Sequence, residues 1–120
     1  MQTLRSMLGL SLALFLSVSA FADSATGIIK ATGVKGGFIV HLGCGDGELT
    51  TALRVNKGYL VHGLGQDVSK ARAVIRKADL YGPVSADRLT GNKLPYIDGS
   101  VNLLVSENLQ GVPMMEVMRV

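Results

Sequence analysis

The residues with the clearest chemical potential form a glycine-rich segment, residues 43–47, whose sequence is Gly-Cys-Gly-Asp-Gly. It follows an apolar run, residues 37–42, and precedes a stretch in which apolar residues recur at helical spacing. Glycines at a strand-to-helix junction permit a tight turn and let a ligand approach the backbone, and the following helix offers free N–H groups at its start. The segment therefore predicts a small-molecule site at this junction.

The spacing of these glycines argues against a nicotinamide or flavin dinucleotide. The fingerprint of such sites is Gly-x-Gly-x-x-Gly. Counting from Gly43, the third glycine would have to be residue 48, and that residue is Glu48. An oxidoreductase domain is therefore disfavoured.

The glycine segment and three later stretches resemble the class I S-adenosylmethionine-dependent methyltransferase family. The stretches are Val-His-Gly-Leu at residues 61–64, Leu-Pro-Tyr-Ile-Asp-Gly-Ser-Val-Asn-Leu at residues 94–103, and Met-Glu-Val-Met-Arg-Val at residues 115–120. The resemblance implies a Rossmann-like, doubly wound parallel α/β sheet that binds S-adenosylmethionine as a methyl donor. In full-length relatives the last stretch leads into a fifth strand, so the resemblance covers only the N-terminal half of the family's fold.

The same resemblance implies which residues bind the cofactor. The glycine loop would pack beside the methionyl part, a residue ending the second strand would bind the ribose, and a later polar residue would recognise the adenine. The positions that match these roles, or stand nearest to them, are His41, Gly43, Cys44, Gly45, Gly47, Gly65, Asp67 and Asp87. Neither a catalytic residue nor the methyl acceptor is identified.

Three positions depart from the family's pattern. His41 and Gly65 stand where the family usually has acids, and Asn102 replaces an aspartate. Asp67 is the candidate for the ribose and Asp87 for the adenine, and the alternative for both is a capping or surface role, which aspartate favours. His41 suits a structural strand position as well as a ligand contact.

Nucleophilic and metal chemistry find little support in the sequence. Catalysis by Cys44 would need a paired base, and the sequence places neither His41 nor His62 beside it. One cysteine and two histidines show no metal-ligand spacing, so no metal site is predicted. Nothing in the chain nominates a general base.

Alternating apolar runs and helical periods must position this site. Strands are predicted at residues 37–42, 59–64, 83–86 and 100–105, and helices at residues 48–55, at residues 67–78 and from residue 113 onward. This alternation predicts parallel βαβ units. The last strand is nearly all apolar and forms an edge of an incomplete sheet of about four strands, which a partner chain or a missing C-terminal region would complete.

The first 22 residues have the pattern of a secretory signal peptide. Arg5 gives a positive start, residues 7–20 are apolar, and Ala20 and Ala22 place small residues before a cleavage point at Asp23. The uncharged run is shorter than the ~20 residues that usually span a membrane. Cleavage, export to the periplasm or the exterior, and no membrane span afterwards are therefore predicted.

Composition sets limits on the rest of the chain. With 120 residues, 48% of them hydrophobic and 18% charged, the chain is neither disordered nor fibrous. The formal charge of +3 is scattered and aromatic residues make up only 5%, so no nucleic-acid partner is indicated. The domains predicted are a signal peptide (residues 1–22), a linker (residues 23–35, loose from Asp23 to Gly33) and a partial methyltransferase-like domain (residues 36–120).

Two functions remain in view. One is a methyltransferase-like domain that binds S-adenosylmethionine and holds donor and acceptor in line. The alternative is an exported, non-catalytic Rossmann-like module for ligand binding or interaction, the N-terminal part of a larger secreted protein. The predicted export favours the alternative, because S-adenosylmethionine is a cytosolic metabolite. The sequence leaves open whether the chain is an active enzyme.

Overall fold

The computed structural model of the chain describes residues 24–120, which contain one sheet of four strands. All strand pairs are parallel, and the spatial order is β3-β2-β1-β4. The strands are β1 (Gly37–Leu42), β2 (Tyr59–Gly65), β3 (Val84–Arg88) and β4 (Leu103–Val105). With its flanking helices this sheet confirms the predicted Rossmann-like α/β fold. The predicted signal peptide, residues 1–22, lies outside the described residues and stays a prediction.

The helical segments are α1 (residues 24–32), α2 (Glu48–Ala52), α3 (Ser69–Lys77) and α4 (Met114–Arg119). The prediction of a loose segment from Asp23 to Gly33 is wrong, because α1 fills most of it. Ala25 is fully buried in the core and Ile29, four residues on and hence on the same helical face, packs against it. None of the described helices is long and apolar enough to cross a membrane.

The strands alternate their side chains between two apolar layers. On one face Ile39 and Val61 pack with residues of α1, α2 and α3. On the other face Val40 and Leu64 pack beneath residues 89–112 and α4. Both faces of β1 are therefore covered, as a central parallel strand requires, which explains why nearly every position of this strand is apolar.

The strand order creates a crevice between β1 and β4. From β1 the chain winds outward through β2 to β3, and it then returns to place β4 on the opposite side of β1. Sheets of this kind bind ligands outside the carboxyl ends of the strands, at the point where the winding reverses direction. The fold thus brings the segments that follow β1 and β4 to a potential ligand site.

β4 is shorter than the strand predicted at residues 100–105, because Asn102 pairs with β1 through its side chain. The Asn102 N–H donates to the Phe38 carbonyl at 2.9 Å, and its side-chain Oδ1 accepts the Phe38 N–H at 2.9 Å. The β4 ladder therefore begins at Leu103, and β4 forms one edge of the described sheet.

A clamp of charged groups holds residues 94–98 against α4. The Arg119 guanidinium donates to Asp98 at 2.7 Å, to Glu116 at 2.8 Å and to the Leu94 carbonyl at 3.1 Å. Glu116 in turn accepts the Leu94 N–H at 2.7 Å. The hydrogen bonds from Arg119, and then that from Leu94, lower the pKa of Glu116 from 4.5 to about 2. The clamp fixes the loop that carries Tyr96.

Gly47 lets α2 approach α3 closely. Its φ is +84°, and a Cβ built on it would lie 2.7 Å from the Ala71 Cα. We predict that Gly47→Ala lowers the free energy of unfolding in urea by about 2–4 kcal/mol, since a backbone clash adds to the cost of a left-handed residue.

Gly111→Ala is the matched control for this substitution. Its φ is +81°, and a Cβ built on it has no contact within 4 Å among the described residues beyond its chain neighbours. A loss of about 1–2 kcal/mol is expected there, from the conformation alone. Equal losses in the two variants would contradict the close packing of Gly47.

Acid should weaken the Arg119 clamp. The pKa of Glu116 is lower in the folded chain, about 2 against 4.5, so its carboxylate stabilises the fold above pH 4.5 and stops doing so as the pH falls toward 2. We predict that the difference in free energy of unfolding between the unaltered chain and Glu116→Gln becomes smaller as the pH falls from 4.5 toward 2. Urea unfolding at each pH measures this difference. A gap that stays constant would contradict the clamp.

Candidate functional site

The turn after β1 is tied to the end of β2 by two hydrogen bonds. The N–H groups of Gly43 and Cys44 both donate to the Leu64 carbonyl, at 2.7 and 3.0 Å. The Gly47 N–H donates to the Cys44 carbonyl at 3.0 Å and closes the loop. The sheet therefore holds the start of this loop in place.

Cys44 packs from the loop onto two glycines of β2. A Cβ built on Gly63 would lie 2.8 Å from the Cys44 Cβ, and one built on Gly65 would lie 3.2 Å from the Cys44 Sγ. Cys44 is 3% exposed, and burial raises the pKa of its thiol. Gly65 is predicted above to bind a cofactor; in the structure it makes room for the Cys44 side chain.

His41 is a buried strand residue at the base of the loop. Its Nδ1 lies 2.7 Å from the Thr50 Oγ1, and Thr50 is fully buried. Burial lowers the pKa of His41, and the charge of Glu107 opposes that effect only in part. The imidazole is therefore neutral at pH 7, so the place where the resemblance leads one to expect an acid carries no charge.

The loop borders an open cleft at the carboxyl end of β1, which we call the glycine-loop cleft. Its volume is about 370 Å³. It is lined by His41, Leu42, Gly43, Cys44, Gly45, Asp46, Leu49, Glu107, Asn108 and Gln110. One wall comes from β1 and the loop, and the other from the segment after β4. The cleft thus occupies the crevice where the winding of the sheet reverses.

Short-range hydrogen bonds shape the wall that follows β4. The Ser106 Oγ donates to the Asn108 carbonyl at 2.7 Å, and the Asn108 Oδ1 accepts the Gln110 N–H at 2.8 Å. Gln110 has a φ of +56°, a left-handed conformation that is uncommon for a residue with a side chain. The Gln110 Nε2 lies only 3.2 Å from the position a Cβ would take on Gly43, so the two walls meet there.

Gly45 is the part of the loop most open to a ligand. Its φ is +57°, and beyond its chain neighbours no heavy atom of residues 24–120 lies within 4 Å of a Cβ built on it. Within residues 24–120 the N–H groups of Gly45 and Asp46 donate to no protein acceptor. The loop can therefore offer two donors and an uncovered backbone surface to a polar ligand.

The two aspartates predicted to bind a cofactor lie outside this cleft. The Asp67 Oδ1 accepts the Ser69 N–H at 3.0 Å and the Ser69 Oγ at 2.8 Å at the start of α3, and these bonds lower the pKa of Asp67. Asp87 is engaged by the His62 Nε2 at 2.7 Å and by Arg72 at 3.0 Å, and the His62 bond is the main cause of its lowered pKa. Both carboxylates therefore have protein partners in the structure.

A second cleft, which we call the His62 cleft, adjoins the first and has a volume of about 470 Å³. Along its side the His62 Nδ1 and the Tyr96 hydroxyl form a hydrogen bond, and the His62 Nε2 contacts Asp87. Burial raises the pKa of Tyr96, so the phenol stays protonated. Leu42 lines the glycine-loop cleft and its register partner Leu64 lines the His62 cleft, which makes the clefts neighbours.

Within residues 24–120 no group of three His, Cys, Asp or Glu side chains could hold a metal ion.

The fold has counterparts among solved structures. A protein proposed to be an S-adenosyl-L-methionine-dependent methyltransferase, from Methanococcus maripaludis, matches with a TM-score of 0.75 and 22% identity, over 96% of this chain and 56% of that one. A methyltransferase of the same cofactor dependence from Aquifex aeolicus matches with a TM-score of 0.62 and 21% identity, over 80% and 57% of the two chains. The cyclase SpnF matches with a TM-score of 0.70 and 19% identity, over 82% and 40%. No family model and no curated protein matches the chain.

These likenesses establish a methyltransferase-like fold. The chain spans between 40% and 57% of the length of these three structures. Geranyl diphosphate methyltransferase, another neighbour, has been solved with S-adenosylmethionine and with S-adenosyl-L-homocysteine. Because SpnF is a cyclase, the fold does not by itself specify methyl transfer.

The wall that follows β4 contains cleft residues that were not predicted from the sequence. Glu107, Asn108 and Gln110 line the glycine-loop cleft, and none of them is among the residues predicted to bind a cofactor. The signal available was positional: these polar residues follow the last predicted strand, and a reversal of winding would place its end beside the end of β1. Asp46 lines the cleft as well, beside Gly45, which was predicted to bind the cofactor; Gly47, predicted to bind it too, is not among the residues that line the cleft.

The hydrogen bond between His41 and Thr50 should be essential to the base of the cleft. We predict that Thr50→Val lowers the free energy of unfolding by about 1–3 kcal/mol, because it keeps the shape and leaves a buried imidazole nitrogen without a partner. Thr51→Val is the control in the same helix. The Thr51 hydroxyl donates to the Gly47 carbonyl, which keeps the Thr51 N–H as a second donor. Urea unfolding that shows equal losses for both variants would contradict the role given to His41.

Proposed function

We propose that the glycine-loop cleft binds S-adenosylmethionine, and its product S-adenosylhomocysteine, and that the chain is the cofactor-binding part of a methyltransferase-like protein. The observation that carries this proposal is the position of the cleft. An open glycine loop, fixed to β2 by two hydrogen bonds to one carbonyl, faces a polar wall at the point where the sheet reverses its winding. The fold shared with methyltransferases supports the choice of ligand.

The shape of the loop fits the methionyl part of this ligand. A side chain at Gly45 would project into open space, so a glycine there leaves room for a ligand against the backbone. The N–H groups of Gly45 and Asp46, which have no acceptor within residues 24–120, can donate to a carboxylate, which that part of the ligand carries.

The charge of the cleft fits as well. Among the described residues that line it, the charged ones are Asp46 and Glu107, both acidic. S-adenosylmethionine carries two positive groups, a sulfonium and an ammonium, against one carboxylate. Negative side chains in a cleft favour such a net cation over an anion of similar size.

The adenosine part would extend toward the His62 cleft. That cleft adjoins the first through Leu42 and Leu64, and its volume of about 470 Å³ exceeds that of the glycine-loop cleft. S-adenosylmethionine, when bound, supplies a methyl group activated by the sulfonium sulfur. The part of this chain in the reaction would be to hold that group in line with an acceptor, because no general base is identified in the cleft.

A second candidate function is the exported, non-catalytic ligand-binding module, with residues 1–22 as its signal peptide. One observation favours it. Asp67 and Asp87, the acids nearest to the ribose and adenine positions, are both engaged by protein partners. Binding of S-adenosylhomocysteine would support the first candidate, and binding of an unrelated ligand alone would support the second.

A calorimetric titration tests the proposed site. We predict saturable binding of S-adenosylhomocysteine to the full chain, and its loss in Gly45→Arg, because the arginine would occupy the space above the loop. Gly33→Arg is the matched control, since Gly33 has a φ of +73° against +57° at Gly45, and in the described part of the chain a Cβ on either has no contact within 4 Å.

Both variants should lose about 1–2 kcal/mol of stability from the left-handed position. Only Gly45→Arg should lose binding. A chain that unfolds cooperatively and gives no heat would overturn the proposal, and so would a Gly45→Arg variant that binds as tightly as the unaltered chain.

A further inference from the structure

The two carboxylates of the glycine-loop cleft differ in what they contact. The Asp46 Oδ1 accepts the Glu48 N–H at 3.0 Å, so this carboxylate is used to shape the turn between the loop and α2. Glu107 is exposed, and within residues 24–120 it forms no hydrogen bond and no ion pair. Glu107 is therefore the carboxylate that remains available to a ligand in this cleft.

The position of Glu107 is set by the wall to which it belongs. It lies between Ser106 and Asn108, whose hydrogen bond of 2.7 Å bends the chain directly after β4. The Asn108 Oδ1 then holds the Gln110 N–H at 2.8 Å. This turn presents Glu107, Asn108 and Gln110 together on one side of the cleft.

His41 faces Glu107 from the opposite wall without neutralising it. The two lie close enough for the charge of Glu107 to affect the pKa of His41, yet burial keeps the imidazole neutral. Neither lysine nor arginine is among the described residues that line the cleft. In the described part of the chain the negative charge of Glu107 is thus uncompensated, and a cationic group of a ligand would be its natural partner.

We propose that Glu107 binds the α-ammonium group at the amino-acid end of the ligand. The inference rests on the proposed function, because it assumes that the methionyl part occupies the glycine-loop cleft. An amino-acid end carries an ammonium and a carboxylate side by side. The cleft offers a matching pair of groups, the carboxylate of Glu107 and the N–H groups of Gly45 and Asp46, which donate to no acceptor within residues 24–120.

Two ligands that differ only at this end test the inference. S-adenosylhomocysteine has the amino-acid end, and 5′-methylthioadenosine has the same adenosine and thioether without it. We expect Glu107→Gln to weaken binding of S-adenosylhomocysteine by about 10- to 100-fold, since one charge-assisted hydrogen bond is lost. Binding of 5′-methylthioadenosine should not change.

Glu48→Gln is the matched control, because it makes the same change at an exposed glutamate that is not among the described residues that line the cleft. It should weaken binding of S-adenosylhomocysteine by less than about threefold. Suppose that the unaltered chain binds both ligands. If Glu107→Gln then binds both as tightly as before, or loses the same affinity for both, the inference alone is overturned. If the unaltered chain binds neither ligand, the proposed function fails and the inference fails with it.

Discussion

Two adjacent N–H groups, those of Gly43 and Cys44, donate to a single acceptor, the carbonyl of Leu64. This pair of bonds joins the end of the central strand to the end of its neighbour, and it turns the chain back over the sheet. The Cys44 side chain can pack against β2 at this point because residues 63 and 65 of that strand are glycines. The open face of Gly45 and the start of α2 follow from this placement. Without it the glycine-loop cleft would have no inner wall.

Much of this arrangement follows from local patterns in the sequence. Residues 37–42 are nearly all apolar because both faces of β1 are covered, and that pattern predicts the strand and its ends correctly. The glycines of residues 43–47 likewise predict a loop at the carboxyl end of β1. In both cases the cause is local, since burial or backbone conformation at a residue selects its type.

Other features depend on contacts between distant residues, and the sequence pattern does not contain them. Ala25 and Ile29 alone form only a weak apolar face in the sequence. α1 is stabilised because this face packs against the core. Gly65 stands where an acid is expected, but its role is fixed by the Cys44 side chain above it. Glu107 becomes a cleft residue only because β4 returns to the far side of β1. Such positions require the topology before their roles can be assigned.

The return of β4 also determines how the far wall of the cleft is maintained. The contact between Phe38 and Asn102 joins residues 64 apart in the chain, whereas β1 and β2 are adjacent in sequence as well as in space. Closing the longer loop costs more chain entropy. The interactions that offset this cost are the pairing of β4, which has only 3 residues, with β1 and the hydrogen bond to the Asn102 side chain. The wall formed by β1 and the glycine loop is thus held by strands that are adjacent in sequence. The wall that follows β4 is held by the strand pairing with the largest sequence separation in the described sheet. One wall of the cleft therefore depends on the shortest of the three strand pairings, which also joins the residues that lie farthest apart in the chain.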